Sequence, residues 1–309
     1  ENSLMRLDLS DGTALLTFDG PAKSLQGLAW DGDYVWCTDR LMDEIYMVRP
    51  SDGEVIMVTE SPGPYPRGIT WDQKHLWVVD YELDSLFQLV HKDEQKFRLK
   101  DTRKSRVTFT HEVKSNGPGT LKSLDVYLAI PEKLNQQEIL SIKFDPNEYG
   151  ELLDRWNQKF AHFRYDDTPG GQSIITKMEV ETEISNISYY IYPELCGTLE
   201  DIPKEIRSLY TKDGSKYKID DPYIIDLSKK IVGEEKNPYW IARKIFDYVR
   251  LNLEYKLEGG WNVAPFVLKR GTGSCSEYTF SFIALCRAAG LPARYVGSIV
   301  VRGDDASMD

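Results

Sequence analysis

The chain has 309 residues, 41% of them apolar and 28% charged, which allows about two domains at roughly 150 residues each and excludes disorder. No apolar run reaches the ~18 residues of a membrane helix, so no membrane span is expected. Asp and Glu number 49 against 38 Lys and Arg, a net charge of −11 that repels phosphate backbones and argues against nucleic acid as a partner.

An internal repeat occupies residues 1–97. Gly27-Leu28-Ala29-Trp30-Asp31 recurs 41 residues on as Gly68-Ile69-Thr70-Trp71-Asp72, Tyr34-Val35-Trp36 as His75-Leu76-Trp77, and Ser10-Asp11-Gly12 as Ser51-Asp52-Gly53. Short β-branched and aromatic runs between Asp-Gly or Pro-Gly turns predict antiparallel hairpins, with Trp30 and Trp71 as packing anchors. The pattern resembles the blades of an NHL-like β-propeller. The chain enters in the middle of one unit and completes about two more, so further repeats are expected upstream, and open strand edges offer a route to self-association.

Arg98, Lys100, Arg103 and Lys104 mark a basic stretch expected as a linker, with a solvated edge strand as the alternative. From Val107 onward two-residue alternation predicts strands, continuing through 124–130, 140–144, 161–165, 174–183 and 187–192, the signature of a β-sandwich. His111 and His162 fall inside strands, where hydrogen-bonded structural roles are expected. After Pro193 the pattern turns helical. Asp221-Pro222 and Asn237-Pro238 each place a capping side chain before a first-turn proline. The second helix is predicted to run to about Asn252, with Ile241, Ile245, Tyr248, Val249 and Leu251 as its apolar face, and a short helix to span 264–270.

Ser274-Cys275-Ser276-Glu277 has the spacing of a capping box and puts Cys275 in the first turn of a helix, where free amides and the macrodipole favour a thiolate. The run from Tyr278 to Ala289 is apolar on nearly every face, so the helix is expected to be buried. Cys37, Cys196 and Cys286 complete the cysteines. Their spacing fits no zinc site, so no metal or cofactor is expected, and Cys286 is assigned to the core. No compartment follows from these residues, and any targeting segment is expected to lie outside them.

Residues 267–277 (Val-Leu-Lys-Arg-Gly-Thr-Gly-Ser-Cys-Ser-Glu) and the later Cys286-Arg287-Ala288-Ala289-Gly290-Leu291-Pro292-Ala293-Arg294-Tyr295-Val296 resemble the core of the transglutaminase-like cysteine enzymes, with Asn252-Leu253-Glu254-Tyr255 as their lead-in. The resemblance covers about 238–302. It implies Cys275 as the nucleophile, followed later in the chain by a His and an Asp. The four histidines, His75, His91, His111 and His162, all precede Cys275, and Asp304, Asp305 and Asp309 have no His ahead of them. The chain is therefore expected to be a fragment, inactive by itself, of a longer protein.

For the oxyanion, the Cys275 amide is one donor. The family's use of an upstream aromatic makes Trp261 the candidate second donor, with Tyr255 as competitor and plain packing as the alternative. Glu277 reads as a cap rather than an acid, and Arg294 as the partner of a carboxylate or carbonyl. The expected fold is multi-domain, mainly β and then α+β: partial propeller-like repeats over 1–97, a β-sandwich over 98–195, and over 196–309 the helical N-terminal half of a papain- or transglutaminase-like core. The expected function is thiol-dependent chemistry on a peptide or amide bond of a protein or peptide substrate, through a Cys thioester, as a cysteine protease (a hydrolase) or an acyltransferase. The alternative is a binding or scaffold protein with a degenerate core.

Overall fold

The computed structural model describes residues 3–90, 92, 94–147, 149–257 and 260–300. Strands β1 (Ser3–Leu7) and β2 (Ala14–Asp19) form one hairpin sheet. Next come β3 (Leu25–Trp30), β4 (Val35–Asp39), β5 (Glu44–Val48) and β6 (Val55–Glu60), a four-stranded antiparallel sheet, and then β7 (Pro66–Trp71), β8 (Leu76–Asp80) and β9 (Ser85–Leu89), a three-stranded one. Strand boundaries repeat every 41 residues, so that β1 corresponds to β5, β2 to β6, and β3 to β7.

The repeat persists because its aspartates staple the turns. Asp31 accepts from the Tyr34 amide and, at 2.8 Å, from the Trp36 indole, and Asp72 does the same for His75 and Trp77. The buried Asp39 and Asp80 accept from loop amides on both sides, those of Ser24 and Leu41 in one repeat and of Tyr65 and Leu83 in the next. Between the two larger sheets Tyr34, Trp36, Ile45, Met47 and Met57 pack against Ile69, Leu76 and Val78. Trp30, expected as an anchor, is half exposed. β4 is buried on four successive residues, which places Trp36 in the core instead, while Trp71 packs at its margin. Among the described residues these sheets close neither a propeller nor a barrel.

Two further three-stranded sheets follow. One has the order β10 (Phe97–Lys114), β15 (Ser173–Tyr189), β12 (Gln137–Asp145), and the other β11 (Leu121–Ala129), β14 (Lys159–Thr168), β13 (Gly150–Leu153). Val126, Leu128, Ala161 and Phe163 from the second share a core with Phe144, Ile142 and Met178 from the first. The basic stretch expected as a linker lies within β10, an exposed edge strand, because its polar side chains find cross-strand partners: Asp101 with Asn186, Thr102 with Ser185, Arg106 with Glu181. His162 Nε2 hydrogen-bonds to Asp125 Oδ1, the carboxylate accepting, at 2.7 Å and stacks on Tyr127, and His111 lies on exposed β10.

The C-terminal part is helical: α1 (Lys204–Tyr210), α2 (Pro222–Val232), α3 (Pro238–Asn252), α4 (Ala264–Arg270) and α5 (Cys275–Ala288), with a short parallel pair, β16 (Glu254–Tyr255) and β17 (Thr272–Gly273). Asp221 caps α2 and Asn237 caps α3, each accepting from the amide two residues on. Ile224, Ile241, Ile245, Val249, Val267, Leu268, Ala284, Leu285 and Cys286 make one core in which α2, α3 and α4 surround α5. Leu251 is exposed, since it falls on the outer side of α3. Residues 291–300 carry no regular secondary structure.

By compactness the chain divides into Glu1–Arg98 with Ser188–Leu195, and Leu99–Ile187 with Cys196–Asp309. The short return segment brings Tyr190 and Tyr192 onto the core of the first unit. No helix among the described residues is long and apolar enough to cross a membrane.

Candidate active site

Ser274 and Glu277 form the capping box that starts α5, with Ser274 N donating to Glu277 Oε2 at 3.0 Å. Cys275 is the first helical residue and is exposed. Behind it α5 is rigidly held: Phe280, Ile283, Ala284, Leu285 and Cys286 are buried. Thr279 Oγ1 donates to the Cys275 carbonyl at 2.9 Å, which closes the first turn. The other thiols differ. Burial pushes Cys37 and Cys286 up to about 12, so both remain thiols, and Cys196 is half-buried.

The lead-in segment lies beside the cysteine. Tyr255 of β16 pairs with Gly273 of β17, two residues before Cys275, and the Tyr278 hydroxyl donates to the Leu253 carbonyl. Trp261 is 62% exposed and sets its ring edge-on to Phe280 at 5.7 Å between centroids. Its carbonyl accepts from Lys216 Nζ, and the Ala264 amide donates to the Lys216 carbonyl, so the loop carrying the indole is pinned to Lys216 at two points. Tyr255, the competing donor, is also more than half exposed and tilts against Tyr278.

Glu277 has no exposed surface, yet it is charged. Its Oε1 accepts from Asn262 Nδ2 at 2.8 Å and the Asn262 amide at 3.2 Å, and its Oε2 from Arg270 Nη2 at 2.9 Å as well as from Ser274. Burial raises a carboxyl's pKa, but these donors outweigh it and hold Glu277 below the ordinary carboxylate range. Gly273 makes room: a Cβ there would sit 3.1 Å from Glu277 Cβ and 3.2 Å from Val267 Cγ1.

Arg287 was not singled out by the sequence. It is buried near the end of α5, donates to the carbonyls of Ala293 and Lys212, and lies between the rings of Trp156 and Tyr217, at 5.0 and 4.5 Å. Arg294, expected on a carboxylate or carbonyl, lies over the Tyr210 ring instead. The Gly-Leu-Pro-Ala run returns the chain so that the Ala293 carbonyl meets Arg287, which is the signal that could have found it.

His75 bonds Asp72 through its amide, and the His162 ring is engaged by Asp125; none of the contacts described brings a histidine to Cys275. His91, Asp304, Asp305 and Asp309 lie outside the described residues. Among the described residues no group of three His, Cys, Asp or Glu could hold a metal. A cavity of 510 Å³ beside α4 is lined by Asp213, Lys218, Asp221, Val263, Phe266 and Lys269, with Asp220 and Pro265; Cys275 is not on its wall.

An uncharacterized protein of Haemophilus influenzae is 25% identical over 197 residues, 59% of this chain and 51% of the relative, so the chain spans about half the length of the curated relative it matches. Among solved structures, a candidate cysteine protease from Cytophaga hutchinsonii superposes with a TM-score of 0.50 at 16% identity, over 63% of this chain and 67% of that one. The β-propeller domain of Cps50 (Swd1) from Myceliophteria thermophila reaches only 0.22, at 13% identity over 28% of this chain and 32% of that one, too low to extend the repeat to a propeller. Residues 225–307, which include the Cys275 helix and both segments packed around its start, match the transglutaminase-like superfamily core.

Proposed function

We propose that this chain carries the nucleophile of a thiol enzyme acting on peptide or amide bonds. Cys275 Sγ attacks the carbonyl carbon of the substrate. The tetrahedral oxyanion collapses to a thioester as the amine leaves with a proton, and water or a second amine then releases the acyl group and restores the thiol. Hydrolysis makes the reaction that of a protease or amidase, and aminolysis that of an acyltransferase.

The observation that supports this reading is the exposure of Cys275 at the start of a buried helix, while two of the other three thiols are enclosed. An exposed sulfur at the positive end of a helix can approach a carbonyl from solvent, and the amide of the same residue has no acceptor inside the helix, so it can donate to the oxyanion. The Trp261 indole, on a loop pinned next to this helix, is the proposed second donor. The base that takes the thiol proton is not assigned to any described histidine. The β-repeat serves as a recognition or spacing module for a protein or peptide substrate, by analogy of fold alone.

Alkylation tests the reading without knowledge of the substrate. Iodoacetamide at limiting concentration is expected to label Cys275 first in the folded protein, Cys196 more slowly, and Cys37 and Cys286 only after unfolding, as read by peptide mass spectrometry. Equal labelling of all four thiols would remove the proposal.

A further inference from the structure

A carboxylate that only caps a helix is most cheaply left in water. Glu277 is instead fully buried, and its two oxygens accept four donors, which fills the lone-pair sites a carboxylate has. Only one of the four, the Ser274 amide, belongs to the cap. The other three come from Asn262, adjacent to Trp261, and from Arg270, whose guanidinium also donates to the Thr272 carbonyl at 3.0 and 2.8 Å. Three separate segments thus meet on one side chain: the loop with the indole, the end of α4 with the strand after it, and the residue preceding the thiol.

We propose that Glu277 is the positioning residue of this site, a clamp that holds the Trp261 loop in register with the Cys275 helix start; this rests on the reading of Cys275 as nucleophile and Trp261 as oxyanion donor. Glu277 touches neither substrate nor reacting atoms and acts through the two residues it fixes. Each oxygen has its own task. Oε1 receives the loop through both the amide and the side chain of Asn262, and Oε2 receives the helix start and α4. A carboxamide at this position keeps one acceptor and turns the other into a donor, so it can serve one side and must release the other.

The test uses Glu277→Gln and Asn262→Ala in the full chain, with two readouts. In Glu277→Gln, amide hydrogen exchange at Asn262 or Ser274 is expected to quicken at least about tenfold, while the Ile283 and Leu285 amides of the α5 core keep their protection. The Trp261 contribution to fluorescence, isolated by subtracting the same protein carrying Trp261→Phe, is expected to shift to the red and become more quenchable by acrylamide. Global destabilisation would instead move the core amides. If Glu277→Gln fails to fold, Asn262→Ala still removes the shorter of the two Oε1 bonds, the side-chain one, and leaves both Oε2 donors in place: the Trp261 signal is expected to shift while Ser274 stays protected. An unchanged Trp261 signal in the folded variants, with Cys275 still labelled selectively in the parent chain, overturns the positioning role alone. Loss of that selectivity in the parent overturns the thiol reading and the role with it.

Discussion

Cys275 and Glu277 lie two residues apart on α5, and at about 100° per residue their side chains leave the helix on opposite sides. One is exposed and the other enclosed, so a single turn separates a reactive group from the charge that anchors its surroundings. The enclosed charge makes stability depend on acid. Because the folded-state pKa of Glu277 is held below its unfolded value, its contribution is fully present above the ordinary carboxylate range and is lost as pH falls through the folded value. Urea unfolding of the parent protein is therefore expected to lose stability on acidification below that range, and to lose less of it in Glu277→Gln, which has no proton to gain. Equal acid sensitivity in the two proteins would mean that the carboxylate is not held as described.

At the scale of elements, close approach matters as much as hydrogen bonding. Gly27 of β3 lies against β7 so tightly that a Cβ would come within 2.6 Å of the Ile69 nitrogen and 2.8 Å of Gly68 Cα, both backbone atoms that cannot give way. Gly27→Ala is expected to cost about 1–3 kcal/mol in urea unfolding, whereas Gly119→Ala, which meets nothing within 4 Å, is expected to change stability little.

Features of this kind divide what the sequence discloses from what it conceals. The caps at Asp221, Asn237 and Ser274 were legible because they act over two or three residues, as was the short helix Ala264–Arg270. The strand repeat was legible because its period recurs in the letters themselves. The choice between Trp30 and Trp36 was not, since β3 alternates between half-buried and exposed positions while β4 is buried on four successive residues, and only the neighbouring strands and sheet decide which of the two is covered. The second duty of Glu277 depends on Asn262, fifteen residues back, and that of Arg287 on Lys212, seventy-five residues back. Separations of that size leave no local pattern to read.

For the second compact unit as a whole, Arg287 joins parts that are distant in sequence. Its guanidinium lies on Trp156, in the turn between β13 and β14, and Trp156 also stacks on Tyr210 of α1 at 6.0 Å, so the sheets and the helical part share one aromatic joint. Burial lowers the Arg287 pKa from its usual value, yet the two carbonyls and two rings keep the charge in place. Arg287→Met removes the donors and leaves carbonyls unanswered, with an expected cost of at least about 2 kcal/mol. Combined with Trp156→Ala, the two effects are expected to be non-additive by about 0.5 kcal/mol or more in thermal unfolding; strict additivity would show that the joint does not couple the two parts.

Equivalent positions in the repeat do not share one environment. Thr38 and Ile45 have no exposed surface, whereas Val79 and Leu86, 41 residues further on, are 43% and 63% exposed. In a stacked array each layer takes much of its rigidity from the next, as books on a shelf stand by leaning on one another. The layer made of β7, β8 and β9 leaves Val79 and Leu86 uncovered, so local opening of the array is expected to begin there, as amide hydrogen exchange would show.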